Sequence, residues 1–263
     1  MLSLGLNTSL GAVPPTLGPG FSPEQLANLA TWYDASDAAT ITKVSDKVSL
    51  WADRANSHDF SQDNDTYRPT YINDGLNDLP TIQFDGVDDI MLATSFDESI
   101  INSTSGYSLF MVLENAVVTD SGSFMNPILE LGTYIASSDR GKIIVHQPRD
   151  DTNKVGSYSN GSGALALSFD VGTTAYVYNE EVTSGEDGSV TVYRNNTEEF
   201  SYSGDTTDVN DTQASYYLMV GGDIDSSTRR FYGKISEILI FSQQLSDADR
   251  QKVNNYLKNK WSI

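Results

Sequence analysis

Residues 231–241, Phe-Tyr-Gly-Lys-Ile-Ser-Glu-Ile-Leu-Ile-Phe, constrain the fold more than any other stretch of this chain. The first half alternates between apolar and polar residues, which is the two-residue period of a strand with one buried face. After Glu237 both sides become apolar, and continued alternation would put Leu239 and Phe241 on the same side as Ile235. We therefore predict a central or near-central β-strand whose C-terminal half is covered on both faces.

A helix that could supply this cover follows in the sequence, over residues 246 to about 260. Ser246 is a favourable N-cap residue, and Asp249 stands three positions later. Large side chains then recur at helical spacing, at Val253, Tyr256, Leu257 and Trp261. We expect this stripe to pack on the strand; the alternative is a partner protein that docks against it.

Length and charge limit the classes of protein that the chain can represent. Its 263 residues suit a single large all-β domain, which we place at residues 21–263, after an extended arm of residues 1–20. There are no cysteines, so disulfides and thiolate metal sites are excluded. A formal net charge of −20 opposes binding to nucleic acid or anionic membranes and favours cations. No apolar run approaches the ~20 residues of a membrane span, so we expect no membrane insertion.

Short motifs recur in order along residues 21–263, and they resemble one known family. They are Trp-Tyr-Asp-Ala-Ser-Asp at 32–37, Trp-x-Asp at 51–53, Arg-Pro-Thr-Tyr at 68–71, Pro-x-Ile-x-Phe-Asp-Gly-Val-Asp-Asp at 80–89, and the strand and helix described above. This series resembles the concanavalin A-like, laminin-G-like jelly-roll domains of phage and bacterial surface proteins. The resemblance implies a two-sheet antiparallel jelly-roll sandwich with a short C-terminal helix. Short runs of β-branched and aromatic residues between turn clusters favour the same architecture.

Two acidic loops are candidates for a calcium site. Asp85, Asp88 and Asp89 lie in one tight segment, and Asp223 with Asp225 lies in another, just before the strand at 231–241. Carboxylate oxygens are the ligands that calcium prefers, and both loops could meet at one edge of a sandwich. Taken singly, each loop is better explained as a turn in which Asp binds its own backbone.

Sugar recognition would use exposed aromatic faces with polar donors beside them. Tyr158 and Asn160, in the segment Lys-Val-Gly-Ser-Tyr-Ser-Asn at 154–160, form the best pair of this kind. The alternative is that Tyr158, like most tyrosines of a β-rich chain, serves packing.

Catalysis by paired carboxylates lacks support in the sequence. Glycosidases of this fold use two carboxylates about 5–10 Å apart, supplied in one branch by Glu-x-Asp-x-Glu on a single strand, and no such run occurs. The adjacent pairs Glu180 with Glu181 and Glu198 with Glu199 point to opposite strand faces, so we expect them to be solvated or at an edge. We predict that the chain is not an enzyme.

The arm of residues 1–20 has no charged side chain in a chain that is otherwise acidic, and it lacks the basic start of a secretory signal. Its larger apolar residues are Leu2, Leu4, Leu6, Leu10, Val13 and Leu17. Such a segment can dock as an extended strand without desolvating charge. We predict that the arm binds another virion protein or a second copy of this chain; the alternative is an arm folded back on its own domain.

The resemblance, the arm and the missing catalytic pair together lead to one main interpretation. We expect a non-enzymatic phage virion surface or appendage protein, such as a capsid decoration, head fibre or tail component, that contacts host glycans. The alternative is a bacterial carbohydrate-binding module or adhesin at the cell surface or outside the cell. A polysaccharide-cleaving enzyme comes third.

Overall fold

The computed structural model describes residues 20–96, 106–116, 125–133, 143–148, 154–159, 167–183, 187–204, 216–223 and 226–263. Its strands are β1 (Leu29–Asp34), β2 (Ile41–Val44), β3 (Lys47–Trp51), β4 (Phe60–Ser61), β5 (Thr70–Leu76), β6 (Leu79–Asp85), β7 (Met91–Phe96), β8 (Tyr107–Asn115), β9 (Met125–Thr133), β10 (Ile143–Pro148), β11 (Lys154–Ser159), β12 (Leu167–Asp170), β13 (Tyr176–Thr183), β14 (Gly188–Arg194), β15 (Thr197–Gly204), β16 (Tyr216–Val220), β17 (Gly222–Asp223), β18 (Ser226–Arg230) and β19 (Tyr232–Phe241). Helix α1 spans Asp247–Trp261, and short 3-10 helices lie at Pro23–Gln25, Ala38–Thr40 and Asp65–Tyr67.

The strands pair antiparallel into one continuous hydrogen-bonded sheet, with β17 and β18 as a separate pair. One run of neighbours is β5, β6, β19, β8, β13, β14 and β15, and β1 lies beside the second half of β19. The other run is β4, β7, β16, β9, β10, β11 and β12. Strand β3 joins the runs because it pairs with both β4 and β5. The predicted all-β class with a C-terminal helix is confirmed, but these pairings do not divide the strands into two separate sheets.

Two hydrophobic clusters stabilise this arrangement. The larger takes side chains from both runs of strands, such as Phe84 and Ile235 from the first and Ile128 and Leu218 from the second. The smaller lies on the opposite face of the first run, where β1, β8, β13 and β19 meet α1. Strand β19 therefore has apolar cover on both faces.

A β-bulge in β19 decides which cluster each of its side chains enters. Ile235, Leu239 and Phe241 are fully buried, as the sequence predicts. The expectation that they share one side is wrong, because the pairing with β8 shifts by one residue between Ile235 and Glu237. Ile235 therefore faces the larger cluster, and Leu239 and Phe241 face the helix. An extra residue in one strand of a pair reverses the alternation beyond it.

Helix α1 covers the sheet as predicted. Its N-cap Ser246 accepts a hydrogen bond from the backbone N–H of Asp249 at 3.2 Å. Val253, Leu257 and Trp261 are buried in the smaller cluster. The apolar stripe therefore packs on this domain. Among the described residues, no helix combines the length and apolar character that would carry it across a bilayer.

Replacing Ile235 by Asp should unfold the domain, because an unpaired charge in the larger cluster costs several kcal/mol. The matched control is Ser201→Asp, at an exposed position of β15, which should change stability by no more than about 0.5 kcal/mol. Thermal melting followed by circular dichroism measures both. An Ile235→Asp protein that melts with the cooperativity and midpoint of the control would contradict this account of the core.

Candidate functional site

The loop between β6 and β7 contains three of the predicted metal ligands, Asp85, Asp88 and Asp89, and residues 85–89 are called the acidic loop below. Asp85 ends β6 and pairs with Tyr232 at the start of β19. Gly86 follows with φ of +75°, a left-handed conformation that glycine adopts without steric cost. One carboxylate oxygen of Asp85 accepts the backbone N–H groups of Val87, at 2.8 Å, and of Asp88, at 3.3 Å. Asp85 therefore stabilises the turn with one oxygen, and its other oxygen accepts no hydrogen bond from the residues that the structure describes.

The three carboxylates of the acidic loop converge, with potential ligand atoms all within 4.8 Å of one another. Asp89 is only 1% exposed, and its Oδ2 accepts the backbone N–H of Asp85 at 3.0 Å. Its Oδ1 is buried, has no hydrogen-bond donor within the described ranges, and lies 3.7 Å from Lys47 Nζ. Burial, with a contribution from the Asp85 charge, raises the pKa of Asp89 to about 7. The loop thus holds negative charge that its protein neighbours compensate only in part.

The second predicted acidic segment lies against the first, but its described aspartate is engaged in an ion pair. Gly221 has φ of +93°, and a Cβ on it would lie 2.7 Å from the carbonyl oxygen of Asp89. Asp223 is buried and forms an ion pair with Arg229 at 2.8 Å, so it is not one of the three converging carboxylates. Asp225 lies outside the described residues.

Exposed aromatic side chains flank the acidic loop. Tyr67 is 40% exposed and Tyr232 is 38% exposed, beside Val87 at 66%. Tyr232 packs closely over Gly86, where an added Cβ would meet its Cβ at 2.8 Å. The Tyr67 carbonyl accepts the backbone N–H of Ile90 at 2.9 Å, directly after the loop. Both tyrosines are therefore attached to the same short segment.

Neither tyrosine was predicted as a site residue. The available signal for Tyr232 was its place on the polar side of the alternation in residues 231–236, next to an acidic loop. Tyr67 carried no comparable signal, because its exposure depends on the packing of a short 3-10 helix against residues distant in sequence.

The acidic loop, Tyr67 and Tyr232 together are called the rim below. A guanidinium group adds positive charge beside it. Arg230 is 8% exposed, and its Nη1 donates to the backbone carbonyl of Asp223 at 3.2 Å. Burial lowers the pKa of Arg230, whereas the charges of Asp223 and Asp88 oppose that change. The rim therefore combines aromatic faces, carboxylate acceptors and a guanidinium donor, a set that can hold a polyhydroxylated ligand or a hard cation.

The other predicted site residues lie wholly or partly outside the described part of the chain. The backbone of Tyr158 lies in β11 opposite Ile144, but its side chain is outside the described part of the chain, as is Asn160. The arm residues Leu2, Leu4, Leu6, Leu10, Val13 and Leu17 also lie outside it.

The expectation that Glu180 and Glu181 are solvated is wrong, because β13 is an interior strand covered on both faces. Glu180 is 1% exposed and accepts the hydroxyls of Tyr107 and Tyr178, each at 2.5 Å. Glu181, on the opposite face, is 3% exposed and accepts the Asn179 amide at 2.9 Å and the hydroxyl of Ser108. Burial raises the pKa of both, to about 7 for Glu181. Neither carboxyl group reaches a surface where it could meet a substrate.

No protein-family model matches this chain, and neither does any curated protein. Solved structures do. The Trypanosoma rangeli sialidase in complex with sialic acid matches with a TM-score of 0.62 and 12% identity, over 89% of this chain and 33% of the sialidase chain. Domain 4 of AbnA, a GH43 extracellular arabinanase from Geobacillus stearothermophilus, in complex with arabinotriose, matches with a TM-score of 0.54 and 15% identity, over 84% of this chain and 96% of that chain. The binding domain of botulinum neurotoxin serotype D matches with a TM-score of 0.53 and 10% identity, over 88% and 51%.

These similarities show a shared fold, and this chain spans about a third of the sialidase chain. They overturn the main interpretation of the sequence. The fold is shared with part of a sialidase and with a domain of an arabinanase, and the prediction of a phage virion surface or appendage protein is wrong.

The buried Glu181 should make stability depend on pH. Its pKa is raised in the folded state, so its contribution to stability is full below about pH 4.5 and is lost as pH rises to about 7. Glu181→Gln should remove that loss, which amounts to about 3 kcal/mol for a shift of this size. Urea unfolding between pH 4 and pH 8 gives the measurement. The exposed Glu198→Gln is the control and should keep the wild-type slope; a Glu181→Gln slope equal to it would refute the assignment.

Proposed function

We propose that this chain is a carbohydrate-binding domain whose site is the rim formed by the acidic loop, Tyr67 and Tyr232. One observation carries the proposal: two exposed tyrosines are attached to a loop on which three carboxylates converge. The apolar face of a sugar ring packs on aromatic rings, and its hydroxyls hydrogen bond to carboxylates and guanidinium groups.

The similarity to the arabinanase domain supports a neutral oligosaccharide as the ligand. That domain holds arabinotriose, and the match covers 96% of it. The net charge of −20 opposes acidic ligands at long range, and the acidic loop does so locally. We therefore expect neutral glycans to bind in preference to sialylated ones.

We infer that the rim binds glycans without cleaving them. Hydrolysis needs one carboxyl group to protonate the leaving oxygen and another to attack or to activate water. Asp89 has a raised pKa but is buried, and one oxygen of Asp85 is engaged by turn amides. Glu180 and Glu181 are enclosed in the core. This arrangement leaves the rim suited to holding a ligand.

We also infer that the fold is the concanavalin A-like, laminin-G-like jelly roll that the sequence motifs resemble. In support, both runs of strands direct side chains into the same larger cluster, as the facing layers of a sandwich do.

Calcium is a further proposal for the acidic loop. Calcium binds oxygen ligands at about 2.3–2.6 Å, so the ligands of one ion lie within about 5 Å of each other, as the three carboxylates do. The buried Oδ1 of Asp89 would gain a partner from the ion. Asp88, Asp89 and the second oxygen of Asp85 would hold it, and the ion would fix the loop under Tyr232.

Replacing Tyr232 by Ala should weaken glycan binding about tenfold, because the stacking face and its buried area are lost. A glycan array with the wild-type protein identifies the neutral ligand, with arabinotriose included, and calorimetry compares the variants. The control is Val44→Ala, at another exposed apolar side chain, on β2. Equal affinities for Tyr232→Ala and the control, or no neutral glycan bound on the array, would contradict the proposal.

Adding calcium to chelator-treated protein should raise the melting temperature by mass action. Asp88→Asn should abolish that rise, because it removes one of the converging carboxylates. Asp65→Asn removes an exposed carboxylate outside the cluster and should keep the rise. Differential scanning fluorimetry measures all three, and a wild-type melting curve unaffected by calcium would leave the loop as an ordinary turn.

A further inference from the structure

A polar depression lies at the turn between β14 and β15, beside the start of β13. Its volume is about 240 Å³, and its polar lining includes Thr174, Arg194, Asn195, Thr197 and Glu199. None of its lining residues belongs to the acidic loop or to β6, β7 and β19. The depression is therefore separate from the rim of the proposed function.

A tight turn places the first of these groups. Asn195 and Asn196 join β14 to β15 with φ of 50° and 75°, the positive φ values of a type I′ turn. The Asn195 Oδ1 accepts the backbone N–H of Val177 at 2.8 Å. This bond fixes the amide, and its Nδ2 makes no hydrogen bond within the described residues.

A β-bulge places the second group. Val192 pairs with Phe200, but Tyr193 pairs with Glu198, so Glu199 is the extra residue in β15. Bulges redirect side chains and are common beside functional sites. Here the bulge puts the Glu199 carboxylate 2.7 Å from Nε of Arg194. The two charged groups face the same depression.

The Arg194 guanidinium is held on two further sides. Its Nη1 donates to the backbone carbonyl of Asp170 at 2.8 Å, and the group lies 5.8 Å from the centre of the Phe169 ring. Within the described ranges, Nη2 of Arg194 and the second carboxylate oxygen of Glu199 have no hydrogen-bond partner. The depression thus presents guanidinium and amide donors, a carboxylate acceptor and the hydroxyl of Thr197.

We propose that this depression binds a single residue of a neutral glycan, as a second saccharide site. Neighbouring donors and acceptors match the neighbouring hydroxyls of a sugar, each of which donates and accepts. An anion is disfavoured, because Glu199 already neutralises Arg194 and the chain carries a net charge of −20. The volume lies below the roughly 300–1,000 Å³ of sites for drug-sized ligands, which limits the occupant to about one ring. The proposal does not depend on the acidic loop.

The test uses the Tyr232→Ala protein, in which binding at the first site is weakened, and follows the Nε–Hε signal of Arg194 by NMR. The probes are D-glucose, D-galactose, D-mannose, D-xylose and L-arabinose, at concentrations on the order of 100 mM because single-ring contacts give weak affinity. At least one sugar should shift the signal in a saturable manner. If none does, or if phosphate shifts it and the sugars do not, the proposal is overturned.

Two conservative variants check that the shift reports this site. Thr197→Val removes a hydroxyl, and Asn195→Asp removes the amide donor while keeping the oxygen that accepts from Val177. Each should weaken the sugar titration about threefold or more. Ser201→Ala, an exposed hydroxyl of β15 outside the depression, should leave it unchanged. A titration unaffected by both Thr197→Val and Asn195→Asp would refute the site, while the proposal for the acidic loop would still stand.

Discussion

The carboxylate of Glu237 connects the parts of this fold that lie farthest apart in sequence. It is fully buried in β19 and accepts hydrogen bonds from the indoles of Trp32 and Trp261, at 2.7 and 2.6 Å, from Lys260 at 2.8 Å and from Tyr256 at 3.2 Å. A buried carboxylate is costly unless its lone pairs are satisfied, and here four donors meet about four acceptor positions. Burial raises its pKa, and the Lys260 ammonium opposes that rise. Strands β1 and β19 and helix α1 are therefore fixed relative to one another.

The proposed glycan site depends on the conformation of β19 in the residues that precede Glu237. The bulge between Ile235 and Glu237 allows Leu239 and Phe241 to face the helix while Ile235 faces the larger cluster. The residues before the bulge keep a simple alternation, so Phe231 is buried and Tyr232 points outward. Tyr232 pairs with Asp85, which brings an exposed ring to the acidic loop. Strand β19 thus supplies side chains to both hydrophobic clusters and one exposed ring to the rim.

Residues with positive φ shape the backbone at both candidate saccharide sites. A left-handed glycine shapes the acidic loop, and left-handed asparagines followed by a bulge shape the depression beside β14. Both present carboxylates with guanidinium groups nearby, but only the acidic loop has exposed aromatic rings. This difference favours stacking with a longer glycan at the rim and polar contacts with one ring at the depression. Two separated sites on one domain would increase avidity for a repeating glycan.

The sequence by itself determined the elements whose signals are local. The alternation in residues 231–241 predicted a strand, and the cap and stripe after Ser246 predicted a helix, because each pattern reflects neighbours along the chain. Tertiary structure alone decided burial and register. Glu180 and Glu181 resemble surface charges in the sequence, but β13 lies inside the sheet with both faces covered, and both side chains are buried. Tyr67 is exposed only because of how its short 3-10 helix packs. These outcomes depend on segments far away in sequence, whose contacts no local pattern specifies.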